Sequence, residues 1–195
     1  MTRGSTAWLG LAALCAAAAG LAWGAPREAL DWQPGRAWTE PWRFWSAALV
    51  HWSPTHLVAN EVGCAVVAAF GMAARLPPRC AIAWLAAWPL GHAALVLQPS
   101  LVSYGGLSGV LHAGVAIAAW HILRHERGRR RLIGIAVGIG LIIKIALERP
   151  WLVPTQVTPG WDFPVAPLAH ATGAAAGLAS AVIGDVITTR WRANR

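Results

Sequence analysis

The segment 104–109 reads Tyr-Gly-Gly-Leu-Ser-Gly and lies where a loop meets a long apolar run. Glycines permit backbone conformations that are closed to other residues, so the chain can turn sharply into a helix here. A serine between glycines at the start of an apolar helix is poorly suited to a lipid-facing surface. It is well suited to expose the Ser108 hydroxyl as a nucleophile, provided that a base lies at the same depth. The segment 169–173, Ala-His-Ala-Thr-Gly, offers His170 as that base.

The composition around these segments is that of an integral membrane protein. Of the 195 residues, 56% are hydrophobic and 12% are charged, whereas a water-soluble domain carries about a quarter charged residues. The apolar residues form long runs and not the periodic stripes of soluble helices and strands. They predict an all-α, six-transmembrane-helix bundle in a single domain, residues 1–195. The predicted spans lie near 7–23, 46–72, 80–97, 107–123, 132–147 and 165–189.

The ends of the predicted spans carry two further features. The first span also resembles a secretory signal peptide, because Arg3 precedes an Ala/Leu-rich stretch that ends in the small residues Gly24 and Ala25. We expect a retained helix, and the later topology is the same in either case. Five tryptophans lie near span ends, where indoles commonly anchor at the membrane interface. They are Trp8, Trp23, Trp120, Trp151 and Trp191.

The net charge of +8 follows the membrane topology and does not indicate a nucleic-acid partner. Eleven of the sixteen basic residues lie on one side of the predicted spans: Arg3, Arg75, Arg79, Arg124, Arg127, Arg129, Arg130, Arg131, Arg190, Arg192 and Arg195. On the other side lie Arg27, Arg36, Arg43 and Arg149. This positive-inside pattern predicts that both termini and the Arg-rich loop lie in the cytoplasm. The expected location is a bacterial inner membrane. Spans 2, 4 and 6 then begin at the periplasmic face.

Polar side chains cluster in the first turns of spans 2, 4 and 6. They are His51, His56 and Asn60, then Ser108 and His112, then His170. Each alone has a structural explanation, since a helical serine bonds to a preceding carbonyl, a histidine anchors at the interface and an asparagine joins helices. Polar groups inside a membrane are costly and usually face an interior or a water-filled cavity. Three helices that bring such groups to one depth favour a common site.

Two glycines of span 6 bear on whether the serine and the base can meet. Gly173 and Gly177 form a small-residue face that lets a neighbouring helix approach closely. If that neighbour is span 4, Ser108 and His170 come within hydrogen-bonding distance. His170 would then take the serine proton, the alkoxide would attack a carbonyl carbon, and an acyl-enzyme would form.

The supporting roles at such a site also have candidates. The oxyanion of a tetrahedral intermediate needs hydrogen-bond donors, and each donor typically contributes ~10²–10³ in rate. The candidates are Asn60, His56 and the backbone N–H of Ser108. No carboxylate is predicted to orient His170, because Glu61 faces another side of its helix. The sequence therefore predicts a Ser–His dyad and not a triad. His112 follows Ser108 by one helical turn and can stack on His170 or bond to it.

Three blocks of the sequence, in order and over nearly the whole chain, resemble the rhomboid family of intramembrane serine proteases. They are 42–44 (Trp-Arg-Phe) with His51, His56 and Asn60, then 106–109 (Gly-Leu-Ser-Gly), then 169–177 with His170, Gly173 and Gly177. The resemblance implies the six-helix fold and a catalytic dyad of Ser108 and His170. It also implies an oxyanion site at His56 and Asn60, supported by His51 and Gly106.

One position departs from the family pattern. The family generally has an aromatic residue, commonly tyrosine, four positions after the serine, and this chain has His112. Leu111 and His112 after the motif, the small core and the Lys144…Glu148 pair resemble the bacterial rhombosortase branch. That resemblance implies transmembrane substrates with a C-terminal Gly-Gly, an apolar helix and a basic tail. Their processing would end in hydrolysis or in transfer to a new anchor, without a cofactor or metal.

The outer end of span 5 and the loop after it carry two further features. Lys144 and Glu148 lie one turn apart, in the favourable order for an i,i+4 ion pair. Either the pair neutralises itself so that the membrane tolerates it, or it contacts the substrate tail or a lipid head group. Loop 149–164 holds four prolines and three aromatic residues and cannot be a helix. We interpret this loop as a cap that moves to admit substrate.

Two other classes of protein compete with a protease. A silent rhomboid-like protein would bind transmembrane helices as a chaperone or adaptor, but such relatives lose the serine or the histidine. A small transporter or metal carrier would need an internal repeat or a ligand cluster, and the sequence has no H-E-x-x-H motif. His121 and His125 share a helix face and could bind a metal, but arginines flank them. Cys15, Cys64 and Cys80 have no metal-ligand spacing and are expected to be small buried side chains.

Overall fold

The computed structural model describes residues 2–193, with side chains as far as Trp191. Within those residues it contains eight α-helices and no β-strand. The helices are α1 (Arg3–Leu21), α2 (Arg27–Leu30), α3 (Arg43–Ser46), α4 (Pro54–Ala73), α5 (Pro78–Ala93), α6 (Ser108–His125), α7 (Gly128–Glu148) and α8 (Pro167–Ala193). Arg195 and the side chain of Arg192, both counted in the charge pattern, lie outside the described residues.

Four segments of the described chain are long and apolar enough to cross a membrane. They are Arg3–Gly24, Pro54–Ala73, Pro78–Leu97 and Pro167–Trp191, which correspond to predicted spans 1, 2, 3 and 6. The all-helical prediction is therefore confirmed, and the apolar helices agree with a multi-pass membrane protein. Predicted spans 4 and 5 are the helices α6 and α7, with 18 and 21 residues, and they are not among the four.

The second span begins later than the sequence predicts. The expected start was residue 46, but α4 begins at Pro54, and residues 43–49 form α3 and one turn of 3₁₀ helix. Ser53 caps α4, because its Oγ accepts a hydrogen bond from His56 N–H at 3.1 Å. Pro54 suits the first helical position, where its missing N–H costs nothing. His51 therefore lies in the loop before α4 and not on the helix.

The central helix of the bundle is α6. It contacts α4, α5, α7 and α8, and most of its residues as far as Ile122 are buried. Trp84 of α5 donates to Val110 O at 2.7 Å, and Trp8 of α1 donates to Val67 O at 2.9 Å. The two indole rings lie 4.4 Å apart in the core, where all three cysteines are free and buried as predicted. The expectation of an interfacial Trp8 is wrong, because this indole is fully buried.

Helix α8 packs against α6 through the predicted glycine face. A Cβ atom added to Gly173 would collide with Gly109 O, and one added to Gly177 would lie 2.5 Å from Ala113 O. No side chain separates the two backbones here, so the first turns of both helices lie side by side. The predicted approach of the fourth and sixth spans is thus found in the structure.

The helix α7 lies at the side of the bundle. It packs mainly on α6 and touches α8 at few positions. It ends at Glu148 because Arg149 adopts a left-handed conformation with φ of 48°. Loop 149–164 forms no helix, as predicted, and Gln156 and Val165 join its two sides through a pair of backbone hydrogen bonds at 2.8 and 2.9 Å.

A polar network ties α5, α6 and α8 together at the other end of the bundle. Asp185 of α8 accepts from Arg79 Nε at 3.2 Å and from Trp120 Nε1 at 3.0 Å. His125 Nε2 lies 3.1 Å from the same carboxylate. Arg79 Nη2 is 3.5 Å from His121 and 3.3 Å from His125, so its positive charge opposes a cation at this histidine pair.

Candidate active site

Ser108 and His170 meet where α6 and α8 begin. Ser108 is the first residue of α6, and His170 lies in the first turn of α8. The Ser108 Oγ atom is 3.0 Å from His170 Nε2, and the imidazole is buried. The hydroxyl can therefore donate to the imidazole, as a serine nucleophile and its base require. This distance follows from the close approach of α6 and α8 along the glycine face.

The turn that leads into α6 requires glycine at residue 106. Gly106 has a φ of 129°, and a Cβ atom there would lie 2.7 Å from His56 Nε2. Tyr104 Oη donates to Gly106 O at 2.8 Å and so holds the turn in place. Tyr104 also exchanges two backbone hydrogen bonds with Trp32, at 2.7 and 3.0 Å. This role was not predicted, although Tyr104 is the single tyrosine of the chain and directly precedes the glycines.

Two side chains of α4 present hydrogen-bond donors beside Gly106. Trp52 N–H donates to His56 Nδ1 at 3.3 Å, so the proton of this ring lies on Nε2, the nitrogen that faces Gly106. Asn60 Nδ2 is buried and has no hydrogen-bond partner among the described residues. A buried donor without a partner is costly, and this amide is free to donate to a group that enters the site. The backbone N–H of Ser108 lacks an intrahelical acceptor at the start of α6.

His51 supports this arrangement from the loop before α4. Its Nδ1 donates to Leu49 O at 3.1 Å, which fixes the ring to the backbone. The ring then meets the His56 ring edge-on, with the centroids 4.7 Å apart. The structure thus puts His51 against one side of His56, in contact with the predicted donor and not with Ser108.

Glu148 supplies a carboxylate that was not predicted at this site. Its Oε2 atom is 2.7 Å from His170 Nδ1, while Nε2 of the same ring faces Ser108. The prediction that no carboxylate reaches His170 is wrong, because the last turn of α7 also lies at this depth and carries Glu148. A helix that runs in the opposite direction brings its last turn to the same depth. Glu148 in the last turn of α7 therefore could have been found from the sequence.

Lys144 and Glu148 form the predicted ion pair, but the pair is not isolated. Lys144 Nζ donates to Glu148 Oε1 at 2.6 Å, and the other carboxylate oxygen faces His170. Lys144 Nζ also lies 3.4 Å from His170 Nδ1. Since that nitrogen donates to Glu148, its contact with the ammonium group is purely electrostatic. If Lys144 and Glu148 only neutralised each other, their contacts with His170 would have no explanation.

His112 stacks on His170. The two imidazole rings lie 4.2 Å apart with their planes at 10°. His112 Nδ1 donates to Ser108 O at 2.6 Å, which fixes its orientation. Of the two contacts expected for His112, stacking on His170 is the one that forms.

Loop 149–164 covers the site from above α4. The Phe163 ring stacks on His56, with centroids 3.9 Å apart, and Trp161 packs edge-on against Phe163 at 5.2 Å. Ser53 Oγ donates to Asp162 Oδ1 at 2.7 Å and ties the loop to the start of α4. The loop therefore closes over one of the two donor side chains.

A cavity of about 1030 Å³ leads away from these residues. Ser108, His170 and Asn60 line its polar end, and it continues along Val66 of α4 and Val137 of α7. Its size reaches the upper end of the range for small-molecule sites, ~300–1,000 Å³. It can therefore hold an extended peptide segment next to the serine.

Comparison with known proteins identifies a family for most of the chain. The model of the rhomboid domain matches residues 39–184. No curated protein matches the chain. The matched range includes α3 to α7 and the part of α8 that carries His170, and members of this family are generally intramembrane serine proteases, although some are inactive. Because the match covers most of the chain and every residue of the candidate site from His51 to His170, the protein belongs to the rhomboid family.

Proposed function

We propose that the protein is an intramembrane serine endopeptidase with Ser108 as nucleophile and His170 as general base. The observation that carries this proposal is the 3.0 Å distance from Ser108 Oγ to His170 Nε2. Asn60 Nδ2, a buried donor without a partner among the described residues, lines the same cavity and adds support. A silent helix-binding protein would need neither the paired serine and histidine nor a free donor beside them.

The chemistry follows from these positions. His170 Nε2 takes the Ser108 proton as Oγ attacks the carbonyl carbon of the scissile peptide bond. His56, Asn60 and the Ser108 N–H stabilise the oxyanion that forms. The C–N bond then breaks, and His170 returns the proton to the leaving amine. Water attacks the resulting acyl-enzyme and gives a new carboxyl terminus, or an amine attacks and gives a transferred product.

The membrane arrangement of this enzyme is part of the proposal. The chain forms one domain with six spans in a bacterial inner membrane, with both termini in the cytoplasm and the site open to the periplasm. The arginines concentrated around the α4–α5 connection, around the α6–α7 connection and near the end of α8 support this orientation. At 1.5 Å per residue, the 18 residues of α6 extend about 27 Å, close to the ~30 Å hydrocarbon core.

The proposed substrates are transmembrane proteins that end in Gly-Gly, an apolar helix and a basic tail. The Phe163 ring stacks on His56 at 3.9 Å, so a bulky scissile segment would have to displace this ring to reach the His56 donor. A scissile segment made of glycines requires less displacement. The apolar helix would follow the cavity between α4 and α7, where Val62, Val66 and Val137 line the wall, and the basic tail would remain in the cytoplasm.

The test is to express the wild type and Ser108→Ala in membranes with a tagged substrate of that design. The measurement is the mass of the product's new C-terminus, and a substrate with Gly-Gly replaced by Val-Val is the control. Cleavage near Gly-Gly that disappears in Ser108→Ala supports the protease, and loss of cleavage with Val-Val supports the substrate class. Added mass at the new terminus indicates transfer. No cleavage, with Ser108 unreactive toward a fluorophosphonate, would favour the silent helix-binding protein.

A further inference from the structure

We propose that Glu148 positions His170, so that the site operates as a Ser108–His170–Glu148 triad and not as a dyad. This inference rests on the proposed protease function. Among the described residues Glu148 contacts His170 and Lys144 and not Ser108; it lines the cavity wall next to His170 and acts through that base. Its carboxylate reaches the base from α7, a helix that otherwise has little contact with α8.

The first argument concerns the proton on the His170 ring. A neutral imidazole carries one donor nitrogen and one acceptor nitrogen, and an ionised carboxylate only accepts. With Glu148 Oε2 at 2.7 Å, the proton belongs on Nδ1, which leaves Nε2 as the acceptor for Ser108 at 3.0 Å. The opposite tautomer would direct an N–H at the serine and could not take its proton. Glu148 therefore selects the tautomer that works as a base.

The second argument concerns the orientation of the same ring. The stacking partner His112, at 4.2 Å, fixes the plane of the imidazole. A half-turn about the Cβ–Cγ bond preserves that stacking and yet removes Nε2 from Ser108. The hydrogen bond from Nδ1 to Glu148 is the contact that opposes this rotation. Stacking and the carboxylate together leave one productive orientation.

The third argument concerns charge when His170 becomes protonated. The groups that face its Nδ1 are the Glu148 carboxylate at 2.7 Å and the Lys144 ammonium at 3.4 Å. Because the carboxylate is nearer and hydrogen-bonded, its attraction exceeds the repulsion from Lys144. Lys144 bonds to the other oxygen, Oε1, and so keeps an ionised carboxylate tolerable at the membrane.

The experiment measures kcat and KM of Glu148→Ala and Glu148→Gln with the Gly-Gly substrate, in detergent and in liposomes. We expect kcat to fall about 10²–10⁴-fold, the range for a disturbed general base, with KM changed less than about threefold. Added formate is expected to raise the kcat of Glu148→Ala at least about tenfold, because formate can occupy the vacated carboxylate position. Formate should not affect Ser108→Ala.

The matched control is Glu126→Gln. Glu126 lies before the start of α7, at the end opposite to Glu148, and pairs with Arg130 at 3.2 Å. The substitution therefore removes one glutamate of an i,i+4 pair far from the site. Its kcat should equal that of the wild type. The melting temperature of each variant separates a loss of folding from a loss of catalysis.

Three results would overturn the positioning role. The first is a kcat of Glu148→Ala within about threefold of the wild type. The second is a large loss of kcat in Glu148→Ala that formate does not restore and that accompanies a lower melting temperature. The ion pair would then serve folding alone. The third is a wild type that does not cleave and whose Ser108 does not react with a fluorophosphonate. Only this third result also overturns the proposed protease, so the two failures are distinguishable.

Discussion

The His112 ring lies parallel to the His170 ring, at 4.2 Å and 10°, while its Nδ1 donates to the carbonyl of Ser108 at 2.6 Å. One side chain thus contacts both the proposed base and the backbone of the proposed nucleophile. The family commonly has tyrosine at this position. Tyrosine and histidine both offer an aromatic ring on which the imidazole of His170 can stack. The hydrogen bond to Ser108 O is a property of the histidine in this chain.

His112→Ala should lower kcat by about tenfold, because an aromatic pair contributes ~0.5–1.5 kcal/mol beyond its burial. His112→Phe keeps the stacking and loses the hydrogen bond, so its kcat should lie between those of the wild type and His112→Ala. Steady-state cleavage of the Gly-Gly substrate measures both. Equal loss in the two variants would show that the hydrogen bond, and not the stacking, is the important contact.

Gly173→Ala should destabilise the protein and disable the site together. The added Cβ would collide with Gly109 O, and such overpacking costs about 1–3 kcal/mol. A displacement of about 1 Å between nucleophile and base can cost ~10²-fold in rate. Gly184→Ala on the same helix is the control, because nothing lies within 4 Å of its added Cβ. Melting temperature and kcat check both variants, and a Gly173→Ala protein that matches Gly184→Ala would contradict the packing argument.

Asn60→Ala should reduce activity without reducing stability. Loss of one oxyanion donor typically lowers kcat by ~10²–10³ and leaves KM little changed. Because Asn60 Nδ2 has no partner among the described residues, its removal should leave the melting temperature unchanged or higher. The two measurements are kcat with the Gly-Gly substrate and thermal unfolding in detergent. A lower melting temperature with unchanged kcat would assign Asn60 a purely structural role.

Tethering loop 149–164 to loop 98–105 should slow cleavage. Ser103 and Thr158 both line the cavity, and Ser103→Cys with Thr158→Cys permits a thiol-reactive cross-link between the loops. The native cysteines are buried, so the new pair is the accessible one. If the loop must lift Phe163 from His56, cross-linked protein should turn over more slowly than the same variant before cross-linking. Equal turnover would remove the cap from the mechanism.

The pairing of Ser108 with His170 could be predicted because a local pattern specifies each part. Glycines before Ser108 set the turn, and the spacing of Gly173 and Gly177 makes α8 able to approach α6. The predicted start of the second span is too early, since the apolar residues 47–50 precede Ser53 and Pro54, which begin the helix. Trp8 was misplaced because position near a span end does not reveal whether an indole faces lipid or the core.

The sequence by itself determined the all-helical membrane architecture and the end of the bundle to which the polar side chains come. Lipid leaves a backbone few alternatives to helices, and long apolar runs between polar turns specify their order. Only the tertiary structure decided that Glu148 reaches His170, that Phe163 covers His56, and which nitrogen of the base faces the serine. Those contacts depend on the rotation of each helix about its axis and on the lateral position of α7. Packing among side chains far apart in the chain determines both.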